Sequence, residues 1–389
     1  MTLLSTILRI PRFLVDAPRY RAGKLLRPRI LTHTVTFRCN ARCIMCDSWK
    51  MKGDGDLSLA EIESIYKQLP RLDAVRLTGG EPFVRKDLPQ ILELAQQHLK
   101  PLGVHITTNG FLTDRIVELC ENRSKKNILQ LMVSLDGVED KHNFIRGNTN
   151  AFRCAWDTLS ALAPARKRLK LDLVVNQTIV DHHGVEQYRL LRERLKTLGI
   201  RHQAVVAYSS SATYNLERDK NLAPEQTERY TTFGEFSQRD FRDLFSEMQS
   251  DLAKLPWWSR FAKEYYLDGI RQRLERDGGS IQRTNPKCVA LTAHLRIFPN
   301  GDIPTCQFNS RVIGNLRQSS FADVWNRECS KEQRDWVNAC QGCWAECEVI
   351  PSAIYTLDIV SKKRALPPKA DLTADKKTTL PANSLPSYE

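Results

Sequence analysis

Between residues 32 and 207 the sequence alternates strand-like and helix-like segments, and this alternation limits the possible folds more than any other feature. Apolar runs predict strands over 32–37, 74–78, 103–108, 128–135, 170–179 and 201–207. The segments between them predict helices over about 58–69, 87–99, 112–122, 149–163 and 185–197, and Ser58 with Glu61 predicts a capping box on the first of these. Such alternation is typical of a parallel sheet with crossover helices. Six repeats predict an α/β fold, a partial (β/α)6 TIM-like barrel with its functional residues at the carboxyl ends of the strands.

The length of the chain predicts more than one domain. Its 389 residues suit a barrel of about 200–250 residues followed by a smaller module. We expect an amphipathic N-terminal segment (1–28), the barrel (29–207), a helical linking segment (208–285), a small α+β domain (286–360) and a tail (361–389). The tail is rich in Lys, Pro, Ala and Ser, so we expect it to be disordered.

The N-terminal segment combines apolar and basic residues. Leu4, Ile7 and Leu8 share one helical face, and Pro11 interrupts that helix. Such a segment either contacts a membrane surface or packs on its own domain, and the sequence leaves both open. The net charge of +13 would also suit nucleic acid or an anionic small molecule. No nucleic-acid-binding signature accompanies the charge, so we expect no nucleic-acid partner.

The chain contains eleven cysteines, of which eight form two groups. The N-terminus does not read as a signal peptide, and no run of about 18 apolar residues would span a membrane. We therefore expect a cytoplasmic protein, with peripheral membrane contact through the N-terminal segment as an additional expectation. In that compartment clustered cysteines are expected to be metal ligands rather than disulfides.

The first group, Cys39, Cys43 and Cys46, follows the first predicted strand at the spacing C-x3-C-x2-C. Three thiolates cannot complete the four-ligand set of a four-iron four-sulfur cluster, so one iron would stay open for another ligand. Zinc is the alternative, with Asp47 as its fourth ligand, although structural zinc sites usually combine paired C-x2-C knuckles.

The sequence TFRCNARCIMCDSW around these cysteines resembles the cluster loop of the radical S-adenosylmethionine (SAM) superfamily. The resemblance implies that the amino and carboxylate groups of SAM bind the open iron. It also implies that one electron from the cluster cleaves SAM to a 5′-deoxyadenosyl radical, which takes a hydrogen atom from a substrate. An external one-electron donor such as flavodoxin or ferredoxin would then be a partner.

Later segments resemble the SAM-binding positions of the same family. After the second predicted strand comes LTGGEP, and two glycines there would allow the backbone to approach a ligand closely. TTNG, VSLDG and HNFIRG follow, with Ser134 and Asp136 placed near a ribose and Arg146 near the cofactor carboxylate. Asn176 and Thr178 are further possible adenosine contacts. The cofactor-binding residues that the resemblance implies are Met45, Gly79, Gly80, Glu81, Pro82, Asn109, Ser134, Asp136 and Arg146.

The second group lies near the C-terminus. Cys288 is followed by a strand, an Asn300-Gly301 turn and a second strand that ends at Cys306, which predicts a hairpin. The later segment CQGCWAEC brings three more cysteines, and zinc is a fair reading of this spacing. The pattern resembles a SPASM or twitch domain, which implies auxiliary four-iron four-sulfur clusters. The SPASM pattern has seven cysteines where this chain has five, so we expect one auxiliary cluster, with Cys288, Cys306, Cys340 and Cys343 as ligands and Cys347 able to replace one of them.

Together these features predict a radical SAM enzyme of the oxidoreductase or maturase type that dehydrogenates, epimerises or crosslinks its substrate. That substrate would be a sugar or cyclitol, a lipid-linked molecule or a peptide. No leader-binding domain precedes residue 28, which slightly disfavours maturation of ribosomal peptides. The alternative is a non-enzymatic iron–sulfur or zinc protein that transfers electrons or acts as a scaffold. That alternative leaves the segments 78–82 and 134–137 without a role, and no catalytic acid or base can be named.

Overall fold

The computed structural model describes residues 10–51, 53, 55–209, 223–224, 232–253, 255, 257–274 and 286–361. The predicted helical face of Leu4, Ile7 and Leu8 lies outside the described residues. So do the predicted tail beyond residue 361 and parts of the predicted linking segment.

A seven-stranded parallel sheet forms the centre of the protein. Its strands are β1 (Ile30–Thr34), β2 (Ala74–Thr78), β3 (Gly103–Thr108), β4 (Ile128–Ser134), β5 (Leu171–Ile179), β6 (Arg201–Val206) and β7 (His294–Ile297). They are hydrogen-bonded in the order β6-β5-β4-β3-β2-β1-β7. Because β1 to β6 each lie beside their neighbour in sequence, the sheet winds in one direction, as a barrel does. No ladder joins β6 to β7 in the described part of the chain, so the barrel is partial.

Helices follow the strands as the sequence predicts. They are α1 (Ile10–Arg21), which precedes the sheet, α2 (Leu59–Gln68), α3 (Leu88–Leu94) with a π-helical extension (Ala95–Leu99), α4 (Thr113–Asn122), α5 (Glu139–Arg146), α6 (Ala151–Leu162) and α7 (Gly184–Lys196). The capping box of Ser58 and Glu61 is present at the start of α2. Helix α5 was not predicted from the sequence.

The hairpin predicted around Asn300 and Gly301 is limited to its turn, where the N–H of Phe298 donates to the Asp302 carbonyl at 2.8 Å. The turn exists, with Gly301 at a φ of +89° and its N–H donating to the Phe298 carbonyl at 3.0 Å. The strand before the turn, β7, pairs in parallel with β1 of the barrel, whereas β8 (Asp302–Pro304) pairs antiparallel with β9 (Val312–Asn315). All four residues of β7 are buried, so this strand belongs to the sheet, and the turn signal could not reveal its distant partner.

Helices make up most of the remaining described chain. They are α8 (Gln238–Leu252), α9 (Trp257–Leu274), α10 (Phe321–Asn326), α11 (Glu328–Ala339), α12 (Glu346–Tyr355) and α13 (Asp358–Ser361). The aromatic residues Tyr265 and Tyr266 of α9 are buried in an apolar cluster, where Tyr265 stacks on Trp344 with ring centroids 6.0 Å apart. Both tyrosines are therefore core residues.

Helix α1 packs through one face on α12. Phe13 and Tyr20 meet the ring of Tyr355 edge to face, at centroid distances of 5.8 and 6.1 Å. Leu14 and Val15 lie on the other face and are more than half exposed. None of the described helices has the length and apolar character needed to cross a membrane.

Candidate cluster and cofactor sites

The loop with the first three cysteines leaves the carboxyl end of β1 and is held against α5. The N–H of Arg42 donates to the Arg146 carbonyl at 2.9 Å, and the N–H of Ile44 donates to the Ile145 carbonyl at 3.0 Å. Within the loop, the N–H of Cys46 donates to the Cys43 carbonyl at 3.2 Å. Backbone bonds therefore fix the loop at the barrel mouth, where the sequence predicted it.

The three thiols of this loop lie close enough to affect one another. The pKa of Cys39 is raised to about 11, mainly by burial and with a smaller contribution from the charge of Cys43. Burial raises the pKa of Cys46 to about 12, with added contributions from Cys43 and Cys39. Three partly buried sulfurs that disfavour each other's ionisation become good thiolate ligands once cationic iron compensates their charge. This donor set fits an iron–sulfur cluster.

Arg146 adds a positive charge to this site. Its Nη1 donates to the Cys43 sulfur at 3.5 Å, and its Nε lies 2.6 Å from Oδ2 of Asp136. Burial raises the pKa of Cys43, and the Arg146 guanidinium opposes that shift. The sequence predicts Arg146 near a cofactor carboxylate, and in the structure it lies beside Cys43 of the first cysteine group.

Asp136 is held by partners within the protein. Its side chain is fully buried, and its second oxygen accepts the N–H of Thr178 at 2.9 Å. Its own N–H donates to His142 Nδ1 at 2.9 Å. With both carboxylate oxygens engaged, Asp136 serves in this structure to hold Arg146 in place.

Gly79 and Gly80 pack against the cysteine loop itself. A Cβ on Gly79 would lie 2.4 Å from the Thr36 carbonyl oxygen, and a Cβ on Gly80 would lie 2.4 Å from the carbonyl oxygens of Phe37 and Arg38. The N–H of Gly80 donates to Thr36 at 2.8 Å. Any larger residue would therefore separate the two segments. Glycine is required at both positions for this close packing, in addition to any close approach of a ligand.

Glu81 connects the ends of β2 and β3. Its carboxylate accepts from the N–H of Asn109 at 2.7 Å, the Thr108 hydroxyl at 2.9 Å and the N–H of Phe83 at 3.1 Å. Burial raises the pKa of Glu81 to about 7, and the three hydrogen bonds oppose this shift. Asn109 in turn donates from Nδ2 to Asn40 Oδ1 of the cysteine loop at 2.7 Å. Hydrogen bonds thus connect Glu81, through Asn109, to the cysteine loop.

The other predicted cofactor residues surround this region. Pro82 is buried at the start of a short 3-10 helix after Glu81. Met45 packs on an apolar cluster that contains Ile145 and Val180. Ser134 ends β4 and is buried.

The second cysteine group surrounds a small cavity. Cys288, Cys306, Cys340 and Cys343 line it, together with Glu348. Burial raises the pKa of Cys288, and Cys340 and Cys306 raise it further. Burial likewise raises the pKa of Cys343, with contributions from Cys288 and Cys340. These four thiols form one coupled set that fits a four-iron cluster with a complete ligand set.

Cys347 contacts an arginine of β7. Its sulfur lies 3.6 Å from Nη2 of Arg296, and it does not line the cavity. Burial raises the pKa of Cys347, the charge of Glu348 adds to this shift, and the charges of Arg296 and Arg76 oppose it. Of the five cysteines in the second group, Cys347 therefore stands apart from the coupled set.

Glu348 is a buried anion beside the second cavity. Its carboxylate accepts from Arg296 Nε at 2.9 Å and lies 3.0 Å from His294 Nδ1. Burial alone would raise the pKa of Glu348, but the charges of Arg296 and His294 outweigh burial and hold it well below its usual range. These residues were not predicted as part of a site, because the pairing of β7 with β1 that brings His294 and Arg296 into the barrel leaves no local signal in the sequence.

No group of three or more His, Cys, Asp or Glu side chains in the described residues is arranged around a single metal ion. Each cysteine of a four-iron cluster binds a different iron, so a cluster site does not require its ligands to converge on one point.

The structure thus brings three thiols to the mouth of a parallel barrel and four to a second cavity, and these are two candidate iron–sulfur sites. Comparison with known proteins specifies the class of protein. The model of the radical SAM superfamily matches residues 34–192, and the SPASM model, an iron–sulfur cluster-binding domain, matches residues 288–344.

Relatives extend the likeness over most of the chain. The mycofactocin maturase MftC of Mycobacterium tuberculosis H37Rv is 33% identical over 81% of this chain and 75% of its own length. The AdoMet-dependent heme synthase of Methanosarcina barkeri is 26% identical over 79% of this chain and 85% of its own length. Streptococcus suis SuiB bound to its precursor peptide SuiA shares the fold, with a TM-score of 0.56, 17% identity and coverage of 88% of this chain and 77% of SuiB.

The chain therefore belongs to the radical SAM superfamily and carries a SPASM domain. Membership brings the cofactors expected from the sequence, a four-iron four-sulfur cluster and SAM, and the SPASM domain brings auxiliary iron–sulfur chemistry.

Proposed function

We propose that this enzyme cleaves SAM reductively and removes a hydrogen atom from a peptide substrate held in the barrel. The observation that carries the proposal is the contact between two segments at the barrel mouth. Gly79 and Gly80 lie directly against the backbone of the loop that presents Cys39, Cys43 and Cys46. A SAM-binding segment and a cluster loop must be adjacent if SAM is to reach an open iron.

We assign the first cluster to Cys39, Cys43 and Cys46. When bound, the cluster supplies the electron that splits SAM and so starts the radical reaction. Arg146 places a cation beside Cys43 and offsets part of the negative charge of a thiolate ligand set. Glu81 fixes the N–H of Asn109, and Asn109 fixes Asn40 of the loop, so these residues hold the loop and the SAM-binding segment in register.

We propose that Gly79, Gly80, Pro82, Asn109, Ser134 and Met45 contact SAM. Asp136 acts through Arg146 instead, because both its carboxylate oxygens are engaged within the protein.

We assign one auxiliary cluster to Cys288, Cys306, Cys340 and Cys343. These four line one cavity, and after burial and Glu348 the charge of Cys340 adds to the raised pKa of both Cys288 and Cys343, which supports a shared ligand set. Under this assignment Cys347 is not a ligand. The auxiliary cluster would accept an electron from the substrate radical rather than bind substrate through an open iron.

A peptide is the substrate class that the relatives favour. MftC, the relative with 33% identity over most of both chains, is named as a maturase, and SuiB was solved with a precursor peptide. The heme synthase has lower identity and is named for a different chemistry. The sequence alone slightly disfavoured peptide maturation, and the likeness to MftC outweighs that expectation in our proposal. Dehydrogenation, epimerisation and crosslinking of the substrate would all begin with this abstraction of a hydrogen atom.

We further propose the cytoplasm as compartment and flavodoxin or ferredoxin as the electron donor. None of the eleven cysteines, all of which the structure describes, forms a disulfide, which supports a reducing compartment. Exposed Leu14 and Val15, beside exposed arginines of α1 such as Arg12 and Arg19, support peripheral contact with an anionic membrane. Co-sedimentation with anionic vesicles, with Leu14→Asp as the variant and Leu190→Asp as the exposed control, tests that contact.

The alternative is a non-enzymatic iron–sulfur or zinc protein, and one experiment separates it from the proposal. Protein reconstituted anaerobically with iron and sulfide is incubated with dithionite and SAM, and 5′-deoxyadenosine is quantified. The enzyme releases 5′-deoxyadenosine, and the variant in which Cys39, Cys43 and Cys46 are all Ala does not. Zinc in the purified protein with no 5′-deoxyadenosine would favour the alternative.

A further inference from the structure

The interior of the barrel is lined by polar side chains rather than by an apolar core. Val75 and Leu77 of β2 pack under the helices, so Arg76 between them faces the interior. The same alternation holds on neighbouring strands, and the register places the inward residues in one layer. The layer consists of Arg296, Thr32, Arg76, His105, Gln130 and Asp172. Polar residues on the inner face of a parallel barrel indicate a ligand cavity, because a packed barrel is filled by branched apolar side chains.

On one side of this layer the polar groups satisfy each other. Asp172 accepts from Arg201 at 2.6 Å and from Gln130 at 2.7 Å. Gln130 also lies 2.8 Å from Nδ1 of His105, whose other ring nitrogen lies 2.8 Å from the Thr107 hydroxyl. The cation of Arg201 is therefore neutralised by Asp172.

On the other side of the layer Glu348 pairs with Arg296, as Asp172 pairs with Arg201. Arg296 donates to its carboxylate from Nε at 2.9 Å, and His294 bridges from it to the Thr32 hydroxyl at 2.8 Å. The cation of Arg296 is thus also neutralised inside the protein.

Arg76 lies between these two neutralised sides and differs from both. Its Nη1 donates to the Cys347 carbonyl at 3.0 Å, which fixes the direction of the guanidinium. Burial is the main cause that lowers the pKa of His105 and of His294, and the nearby charge of Arg76 adds to the lowering at both. Within the described residues no carboxylate comes within ion-pair distance of Arg76, which is half-buried. An arginine cannot lose its proton at this position, so a partly desolvated cation with unused donors favours an anion from outside the chain.

We propose that Arg76 binds an anionic group of the substrate, a carboxylate or a phosphate, on the barrel wall next to the auxiliary domain. This inference rests on the proposed function, because it assumes that substrate enters the barrel. The bond to Cys347 places the site beside the segment that follows the auxiliary ligand Cys343. Two residues further along β2, Thr78 leads into the Gly79–Gly80 segment at the cluster loop. An anion on Arg76 would therefore orient substrate between the two cysteine sites.

Small anions test the proposal without knowledge of the substrate. Reconstituted holoenzyme saturated with SAM is titrated calorimetrically with propionate, its neutral analogue propionamide and inorganic phosphate. Wild-type protein is compared with Arg76→Gln, Arg76→Lys and the matched control Arg71→Gln, which removes an exposed arginine before β2. Iron content and 5′-deoxyadenosine formation without substrate are measured for each variant, and retained values show that the fold and cluster are intact.

We expect wild-type and Arg71→Gln protein to bind one of the two anions at least about tenfold more tightly than propionamide, since bonds to a charged donor are the stronger ones. Arg76→Gln should lose this preference and Arg76→Lys should keep part of it. Tighter binding of propionate would identify a carboxylate substrate, and tighter binding of phosphate a phosphorylated one. An unchanged preference in Arg76→Gln, or no preference in wild-type protein, overturns the inference. A shift in the potential of the auxiliary cluster without any change in anion binding would also overturn it, because Arg76 would then serve the cluster.

This test is separable from the proposed function. If wild-type protein forms 5′-deoxyadenosine but does not distinguish propionate from propionamide, only the anion site is wrong. If it forms no 5′-deoxyadenosine, the proposed function fails whatever anion it binds.

Discussion

The guanidinium of Arg146 donates a hydrogen bond to the sulfur of Cys43 across 3.5 Å, and it does so from the last residue of the unpredicted helix α5. Gly147, at a φ of +60°, ends that helix against Arg42 of the cysteine loop. The helix therefore both caps the loop and brings a cation to one of its thiols.

Removal of this cation should weaken both fold and cluster. Arg146→Met leaves the fully buried carboxylate of Asp136 without its ion pair. We expect a loss of about 3–5 kcal/mol in the free energy of unfolding, the usual cost of breaking a buried pair from one side, and a lower iron content. Urea unfolding under anaerobic conditions and iron analysis measure the two effects. The double variant with Asp136→Asn should recover part of the stability, and a single variant as stable as wild type would contradict this role.

The close packing at Gly80 gives a second prediction. In Gly80→Ala the new methyl group would lie 2.4 Å from two carbonyl oxygens of the cysteine loop. We expect a loss of about 1–3 kcal/mol in stability, as for overpacking elsewhere, and a displaced loop with reduced SAM cleavage. Gly103→Ala is the matched control, because nothing lies within 4 Å of its added carbon. Equal behaviour of the two variants would show that the contact at Gly80 is unimportant.

Iron counting tests the assignment of the auxiliary ligands. Replacement of Cys39, Cys43 and Cys46 by Ala should leave about four irons per chain, bound at the second site. In that background Cys306→Ala should remove most of the remaining iron, whereas Cys347→Ala should not, since Cys347 faces Arg296. About eight irons in the triple variant would mean two auxiliary clusters, and loss of iron in Cys347→Ala would make that residue a ligand.

His105 predicts a defined loss of stability in acid. Burial, aided by the charge of Arg76 and opposed by Gln130 and Asp172, lowers the pKa of His105 to about 4. The unfolded chain binds this proton near pH 6.5, so the contribution is complete above that pH and is lost as the pH falls towards 4. The loss should total about 3 kcal/mol. Unfolding of wild-type protein and His105→Gln across this range, with His182→Gln as the exposed control, should show a shallower pH slope only in His105→Gln. A slope equal to that of wild type would mean that His105 does not titrate in this way.

The sequence predicted the elements of the barrel well because each is a local pattern. The strand from 74 to 78 and the capping box at Ser58 depend only on neighbouring residues, and both are present. The strand before Asn300 was assigned to a hairpin, because its partner β1 lies more than 250 residues earlier in the chain and leaves no local signal.

The candidate site was predicted in outline but not in its contacts. Motif positions located Arg146 and Asp136, but their mutual ion pair depends on how α5 folds back on the loop. The polar interior of the barrel could have been predicted from the sequences of the strands. Strands such as AVRLT and HLRI alternate apolar and polar residues, which is unusual for a parallel sheet covered on both faces. That alternation would have indicated Arg76 and Arg296 before the structure did.

Electron paramagnetic resonance of the reduced first cluster tests whether SAM binds its open iron. The protein is prepared anaerobically with Cys306 and Cys340 replaced by Ala, so that the signal of the first cluster can be observed alone. We expect SAM to change this signal, because the iron that lacks a cysteine would take the amino and carboxylate groups of SAM as ligands. An identical spectrum with and without SAM would contradict it.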